Sequence, residues 1–132
     1  MNQPLIRSEW PPNIKAIRAV LPVTEHNIFA WAGIIYNPGG GWLGPALIAH
    51  ERVHFEQQGR NPVRWWKKYL KDPEFRLAQE MPAHRVEYAE FCRQNRDRND
   101  RSRFLHVLGK RLAAPMYGGL ITAAGARKQI RE

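Results

Sequence analysis

Hydrophobic and polar positions form two different patterns along the chain. The first consists of short runs rich in apolar and β-branched residues, and it predicts a small sheet near the N-terminus. The first dozen residues contain three prolines, which is typical of an irregular arm. Residues 14–21 and 27–36 are rich in apolar and β-branched side chains and are predicted to be strands. The Asn-Pro-Gly-Gly-Gly run at 37–41 ends the second strand, because proline lacks a ladder donor and glycine permits positive φ.

The second pattern predicts helices. Apolar positions recur at three- and four-residue steps from about 42 to 58, and Gly59 is the residue type that ends helices. A shorter helix is expected from 61 to about 70, with a proline near its start. The pair Asp72-Pro73 is typical of a helix start and predicts a long helix that reaches about residue 93.

The long helix and the segments after it carry two interruptions. Pro82 removes one intrahelical hydrogen bond, which predicts a kink or a restart near Glu80. Residues 93–103 contain no apolar side chain and are expected to form a solvated, basic connector. Helical periodicity resumes at 104–113, and a last short helix is predicted at about 120–130.

These elements predict an α+β fold that is mainly helical, with a small N-terminal sheet. A length of 132 residues suits a single domain spanning 1–132, with its core at about 13–92 and C-terminal helices at 104–132. Hydrophobic residues make up 43% of the chain, which argues against a disordered protein. Five Trp and five Phe add large side chains for a core.

Cysteine content and apolar run lengths bear on the cellular compartment. Cys92 is the single cysteine, so an intrachain disulfide is impossible. The N-terminus lacks the basic, apolar and small-residue order of a secretion signal, so a cytoplasmic location is expected. The uncharged stretch between Glu25 and Glu51 is broken by polar residues and glycines, so no membrane span is expected.

Positive charge is concentrated in the last third of the chain. The formal net charge is +9, of which +7 comes from residues 91–132. Residues 93–111 hold seven Lys or Arg, which favours a nucleic-acid-binding module as an alternative function. Asp97 and Asp100 dilute that signal, so we expect nucleic-acid binding to be weak and non-specific.

The sequence His50-Glu51-Arg52-Val53-His54 carries the candidate chemistry. It is an H-E-x-x-H pattern inside a predicted helix, where side chains four residues apart lie on one face. Both imidazoles can therefore reach one ion, and zinc in catalytic sites takes three protein ligands and leaves a fourth position to water. Glu51 points away from the ligand axis, where it can act as the general base.

A third ligand must come from elsewhere in the chain. The candidates lie on the long helix and are Glu80, His84 and Glu87, which share one helical face with Ala83. The small side chain of Ala83 would let two helices approach closely. The residue types alone leave the choice among the three candidates open.

The motifs resemble the gluzincin zinc metallopeptidases. H-E-x-x-H is followed after 25 intervening residues by Glu80-Met81-Pro82-Ala83, similar to the Glu-x-x-Ala motif of compact gluzincin-type domains in bacterial and phage proteins. Larger relatives often continue that motif with Asp, where this chain has His84. The resemblance covers about residues 28–92, and the two motifs are its specific part.

The resemblance implies a minimal zincin-like fold and zinc-dependent hydrolysis of a peptide or protein substrate. Zn²⁺ would be bound by His50, His54 and Glu80, with Glu51 as base. An edge strand from the segment 28–36 would hold the substrate backbone. Auxiliary roles, including stabilisation of the oxyanion, fall to a set of residues whose position the sequence does not specify: His84, Glu87, Tyr88 and Tyr117.

Two further expectations concern partners. A zinc site can persist in a non-catalytic binding or scaffold module, which is the other alternative to an enzyme. A chain this small has little room for a deep specificity cleft, so self-association or a partner protein can complete the site.

Overall fold

The protein is mainly helical, with a small sheet of three short strands. The computed structural model describes residues 3–132. Within this range the helices are α1 (Ile14–Val20), α2 (Pro45–Gln58), α3 (Pro62–Lys71), α4 (Pro73–Gln94), α5 (Arg98–Leu112) and α6 (Ala123–Arg131), and a 3-10 turn spans Pro115–Tyr117. The strands are β1 (Leu5–Arg7), β2 (Phe29–Trp31) and β3 (Ile34–Tyr36). The predicted mainly helical fold with a small N-terminal sheet is confirmed.

The sheet has the order β1-β3-β2, so β2 is an edge strand. β2 and β3 are antiparallel and form a hairpin within the segment that was predicted to be one strand. The turn between them contains Ala32 and Gly33, which both have positive φ, as a two-residue hairpin turn requires. The prediction of a continuous strand over 27–36 is therefore wrong.

β1 lies in the arm that was predicted to be irregular, and that prediction is also wrong. Leu5, Ile6 and Arg7 pair in parallel with the three residues of β3. The segment is short and exposed, so its order comes from pairing with β3 and not from burial of its own side chains.

The predicted strand at 14–21 is the helix α1. Ile17 is fully buried, and Ile14 and Leu21 flank it at helical spacing on the same face. This face packs against the aromatic residues of α3, so tertiary packing outweighs the strand preference of the isoleucines.

α2 and α3 lie close to their predicted positions. α2 begins at Pro45, three residues later than predicted, and ends at Gly59, which has a φ of +56°. α3 begins after Asn61, whose side chain accepts a hydrogen bond from the backbone N–H of Arg64. α2 contains the whole of the segment 50–54.

α4 passes through Pro82 without a break. The helix begins after Asp72, whose carboxylate accepts hydrogen bonds from the backbone N–H groups of Glu74 and Phe75. The helical assignment continues from Pro73 to Gln94, so the predicted restart near Glu80 is not found. α4 packs against α2, α3, α5 and α6, and this packing offsets the cost of the lost hydrogen bond.

The solvated connector is much shorter than predicted. α5 begins at Arg98, so only residues 95–97 separate it from α4. Asp97 caps α5 by accepting hydrogen bonds from the N–H groups of Asn99 and Asp100. The guanidinium of Arg101 donates to the carbonyl oxygens of Asn95 and Cys92, which ties the polar first turn of α5 to the end of α4.

Two apolar clusters surround the α2–α4 pair. The first joins α1, the sheet and the aromatic residues of α3. The second joins α4, α5, α6 and Tyr117. Met116 packs against both clusters. No helix in the described part of the chain combines the length and apolar character needed to cross a membrane.

Candidate metal centre

α2 presents three buried polar side chains, His50, Glu51 and His54. The Nε2 atoms of His50 and His54 lie 3.2 Å apart, because the four-residue step stacks the two imidazoles on one helix face. Burying two imidazoles and a carboxylate in one turn is costly unless each finds a charged or hydrogen-bonding partner. The partners of the two imidazoles come from α4 and from Gln57 of α2 itself.

Glu80 of α4 supplies the carboxylate that faces both imidazoles. Its Oε1 atom lies 3.1 Å from Nε2 of His50, and its Oε2 atom lies 3.2 Å from Nε2 of His54. Three ligand atoms bound at about 2.0–2.1 Å to one tetrahedral ion lie about 3.3 Å from one another. The three side chains therefore fit a single metal ion of this type.

The hydrogen bonds of the Nδ1 atoms determine which ring nitrogens are free to bind. Nδ1 of His50 donates to Oε1 of Glu87 at 2.8 Å. Nδ1 of His54 lies 2.8 Å from Oε1 of Gln57, whose Nε2 donates to the carbonyl of Gln79, so the imidazole is the donor. With a proton on each Nδ1, the Nε2 lone pairs of both imidazoles and the Glu80 carboxylate converge on one point.

Three residues that hydrogen-bond to the candidate ligands or to their partners were not predicted from the sequence. The hydroxyl of Tyr69 in α3 donates to Oε2 of Glu80 at 2.6 Å. Gln57 lies one turn after His54, a spacing that could have identified it as a partner of that imidazole. Gln79 is bonded to Gln57 and also accepts from the indole N–H of Trp65. No local sequence pattern connects Tyr69 to Glu80.

The electrostatics of the cluster favour bound positive charge. Burial lowers the pKa of His50, but Glu80 and Glu87 outweigh it and the pKa stands well above its usual value. Burial raises the pKa of Glu80, but His54 and His50 outweigh it and the pKa stands well below its usual value. A cation held between these groups satisfies the same carboxylates that otherwise attract protons.

Glu51 is buried beside the cluster but is not one of the three converging groups. Its Oε2 atom has no hydrogen-bond partner in the described part of the chain, although its side chain is almost completely enclosed. Burial raises the pKa of Glu51. An unpartnered carboxylate oxygen with a raised pKa is suited to accept a proton from a molecule that enters the site.

A cleft of about 320 Å³ opens beside the cluster. It is reached by His50, Glu51 and Glu80 and is walled by residues from the loop before β2, from the end of α5 and from the 3-10 turn. These include Val23, His26, Phe29, Arg111, Met116 and Tyr117. Because His50, Glu51 and Glu80 line this cleft, a small group that enters it can reach the cluster from this side.

The structure places the four auxiliary candidates in different surroundings. Glu87 is bonded to His50, and Tyr117 and His84 line the cleft. Tyr88 is not among the residues that line the cleft and instead packs against the second apolar cluster. The ligand atoms of His50, His84 and Glu87 also lie within 4.8 Å of one another, but His50 meets Glu87 through the ring nitrogen opposite Glu80.

His84 is neutral at physiological pH, because burial lowers its pKa to about 4. Its Nδ1 atom donates to the carbonyl oxygen of Glu80 at 2.7 Å. Its buried Nε2 atom has no hydrogen-bond partner among residues 3–132 and carries a lone pair. In this tautomer the one N–H of the ring is used by the carbonyl of Glu80, so His84 has none left for an oxyanion.

The edge strand β2 is partly occupied by the protein itself. The carbonyl of Ala30 accepts hydrogen bonds from Nε2 of Gln58 and from the indole N–H of Trp66. The N–H of Ala32 donates to Oε1 of Gln58. This part of the edge is therefore not free for a peptide strand, whereas Ile28 and Phe29 border the cleft.

The sequence and the structure were compared with known protein families, curated proteins and solved structures. No family model matches the chain, and no curated protein or solved structure matches it.

Proposed function

We propose that the protein is a zinc-dependent metallopeptidase whose ligands are His50, His54 and Glu80. The single observation that supports this most strongly is the spacing of the candidate ligand atoms. The two imidazole Nε2 atoms lie 3.2 Å from each other, and each lies 3.1–3.2 Å from an oxygen of Glu80. Two neutral imidazoles and one carboxylate are the ligand set of many catalytic zinc sites, which keep one position open. Glu51 supplies the base that a scaffold site would not need.

Zinc bound by these residues would supply Lewis acidity to a peptide carbonyl and would lower the pKa of a water molecule. Glu51 accepts the proton of the attacking water and passes it to the leaving amine. Its unpartnered oxygen and the burial that raises its pKa suit both steps. Glu51 and Tyr117 both line the cleft, so a peptide bound there can place its scissile bond beside both residues.

Tyr117 is the best candidate for the donor that stabilises the oxyanion. It lines the cleft, and burial raises its pKa, so the hydroxyl keeps its proton throughout the physiological range. The N–H of His84 is used by the carbonyl of Glu80, and Tyr88 does not line the cleft. The donor therefore comes from the C-terminal part of the chain, outside the region covered by the resemblance.

Glu87, Gln57 and Tyr69 act as positioning residues. Glu87 and Gln57 hold the Nδ1–H tautomers of His50 and His54, and Tyr69 orients one oxygen of Glu80. Such partners raise ligand basicity and hold the rings in the binding orientation.

The proposal is tested by incubating the zinc-loaded protein with a mixed peptide library and identifying the products by mass spectrometry. We expect complementary N- and C-terminal fragments that disappear when zinc is removed by a chelator and return when zinc is restored. A zinc-loaded protein that cleaves no peptide in the library would favour the scaffold alternative.

Glu80→Ala and Glu87→Ala should separate a ligand from a positioning residue. We expect Glu80→Ala to weaken zinc binding by more than about 100-fold, and Glu87→Ala to weaken it by about 10- to 100-fold. The measurement is competition for zinc against a coloured chelator. If Glu87→Ala binds zinc more weakly than Glu80→Ala, the assignment of Glu80 as the third ligand is wrong.

The basic C-terminal third should bind nucleic acid weakly and without sequence preference. Several of its arginines are engaged within the chain: Arg93 with Glu90, Arg103 with Asp100, and Arg101 with backbone carbonyls. We expect duplex DNA affinity to fall with salt by a log–log slope of roughly 0.9 per phosphate contacted, with few contacts. Sub-micromolar, sequence-selective binding at physiological salt would instead support a nucleic-acid-binding function.

A further inference from the structure

The cleft beside the proposed zinc site contains one permanently charged cation among the described residues that line it, Arg111. Arg111 is the second-last residue of α5, and the rest of its helix packs into the second apolar cluster. The end of α5 thus brings a guanidinium into the lining of the cleft. The proposed reaction uses His50, Glu51, Glu80 and Tyr117 and leaves this group without a role.

The guanidinium of Arg111 makes no hydrogen bond to another residue in the described range 3–132. Its Nη1 atom lies 3.7 Å from Oε1 of Glu87, beyond hydrogen-bond distance, and that oxygen already accepts from His50 at 2.8 Å. No hydrogen bond to another described residue involves its guanidinium, and the side chain is 46% exposed. By contrast, the buried Arg76 donates to three backbone carbonyls.

A carboxylate is the group of a peptide that best matches these free donors. Guanidinium and carboxylate form two parallel charge-assisted hydrogen bonds, and the pairing is specific in geometry as well as in charge. Leu21, Val23 and Met116 also line the cleft, and these apolar walls reduce screening by water. Peptides offer carboxylates from two sources, the C-terminus and the side chains of Asp and Glu.

We propose that Arg111 binds a carboxylate of the substrate and makes the enzyme selective for peptides with a carboxylate close to the scissile bond. A cleft of about 320 Å³ holds only a few residues, so the anchored carboxylate belongs within a few residues of the bond that is cut. The inference rests on the proposed peptidase function and names its substrate class.

A purely structural role for Arg111 predicts a different outcome. Burial raises the pKa of Glu87, while the contacts with His50 and the charge of Arg111 lower it. If Arg111 acted only through Glu87 and His50, its removal would weaken zinc binding and slow the cleavage of every peptide equally. A carboxylate-binding role instead changes the ratio between substrates and leaves zinc binding intact.

The test compares three versions of one cleaved N-acetylated peptide: with a free C-terminus, with an amidated C-terminus, and amidated with Glu as its last residue. Each is assayed with the parent, Arg111→Met, Arg111→Lys and Lys110→Met. Lys110 is exposed on the same helix and is not among the cleft residues, so Lys110→Met removes the same charge without touching the cleft.

We expect the parent to cleave at least one of the two carboxylate-bearing peptides about 10- to 100-fold better in kcat/KM than the fully amidated one. The peptide that gains identifies the source of the carboxylate. Lys110→Met should keep the preference, Arg111→Met should lose it, and Arg111→Lys should be intermediate, because Lys retains the charge without the two-pronged geometry. A parent without the preference, or a preference that survives Arg111→Met, would overturn the proposal. So would an equal loss on all three peptides.

Binding to the zinc-loaded Glu51→Gln variant separates this proposal from the peptidase function. Calorimetry with N-acetylated tetrapeptides in three forms, with a free C-terminus, amidated, and amidated with Glu as the last residue, needs no turnover. An Arg111-dependent preference for a carboxylate-bearing form without hydrolysis by the parent would support the carboxylate site and contradict the peptidase. Hydrolysis without any such preference would contradict the carboxylate site alone, and equal or absent binding of all three forms would also count against it.

Discussion

Glu51→Gln is expected to reduce the kcat of peptide hydrolysis by about 10²- to 10⁴-fold while zinc remains bound at one ion per chain. Gln has nearly the same size and fits the same enclosed position, but it cannot accept the proton of the attacking water. Because Glu51 lies next to His50 and is not one of the three converging groups, the ligand set is unchanged. The measurement is zinc content by elemental analysis, together with cleavage of a library peptide.

Glu56→Gln is the matched control, since Glu56 is exposed on the same helix and lies outside the cleft. The control should retain full turnover and zinc content. If Glu51→Gln cleaves peptides as fast as the parent, Glu51 is not the base. Loss of zinc from Glu51→Gln together with turnover would assign Glu51 a role in metal binding.

Removal of zinc is expected to lower the melting temperature by about 10 °C or more. A ligand present at about 1,000 times its Kd contributes about 4 kcal/mol to the free energy of unfolding. For a chain of this length that stabilisation corresponds to a shift of about 10 °C. The reason lies in the cluster itself, since His50, His54 and Glu80 are buried and converge at one point.

His54→Ala should bind substoichiometric zinc and should show no stabilisation when zinc is added. His106→Ala is the control, because His106 is exposed on α5 and its Nδ1 atom contacts only the carbonyl of Ser102 among the described hydrogen bonds. The control should behave like the parent in differential scanning calorimetry with and without chelator. A parent that holds well below one metal per chain after incubation with zinc would contradict the proposed metal site.

The helices were predicted more accurately than the strands, and the reason is the range of the interactions. α2, α3 and α4 carry their own start and stop signals, such as Asp72 before Pro73 and Gly59 after α2. α1 has isoleucines that favour a strand locally, and as a helix it packs Ile17 into a cluster with the distant aromatic residues of α3. β1 exists because β3, almost 30 residues later, offers it a partner.

The candidate site also has a part that local sequence determines and a part that depends on long-range contacts. The sequence by itself determined that His50 and His54 share one face, because a four-residue step is a local property of the helix. It also limited the third ligand to residues of α4, but Glu80, His84 and Glu87 share a face there and no local rule ranks them.

Only the tertiary structure distinguishes the positions of those three residues relative to the imidazoles. The packing of α4 on α2 sets how far α4 is rotated and shifted along its axis, and this places Glu80 at Nε2 of His50 and Glu87 at Nδ1. Packing also brought Tyr69, Tyr117 and Arg111 to the cluster from separate elements. These contacts join residues far apart in the chain, so their geometry depends on the whole fold and not on any one segment of sequence.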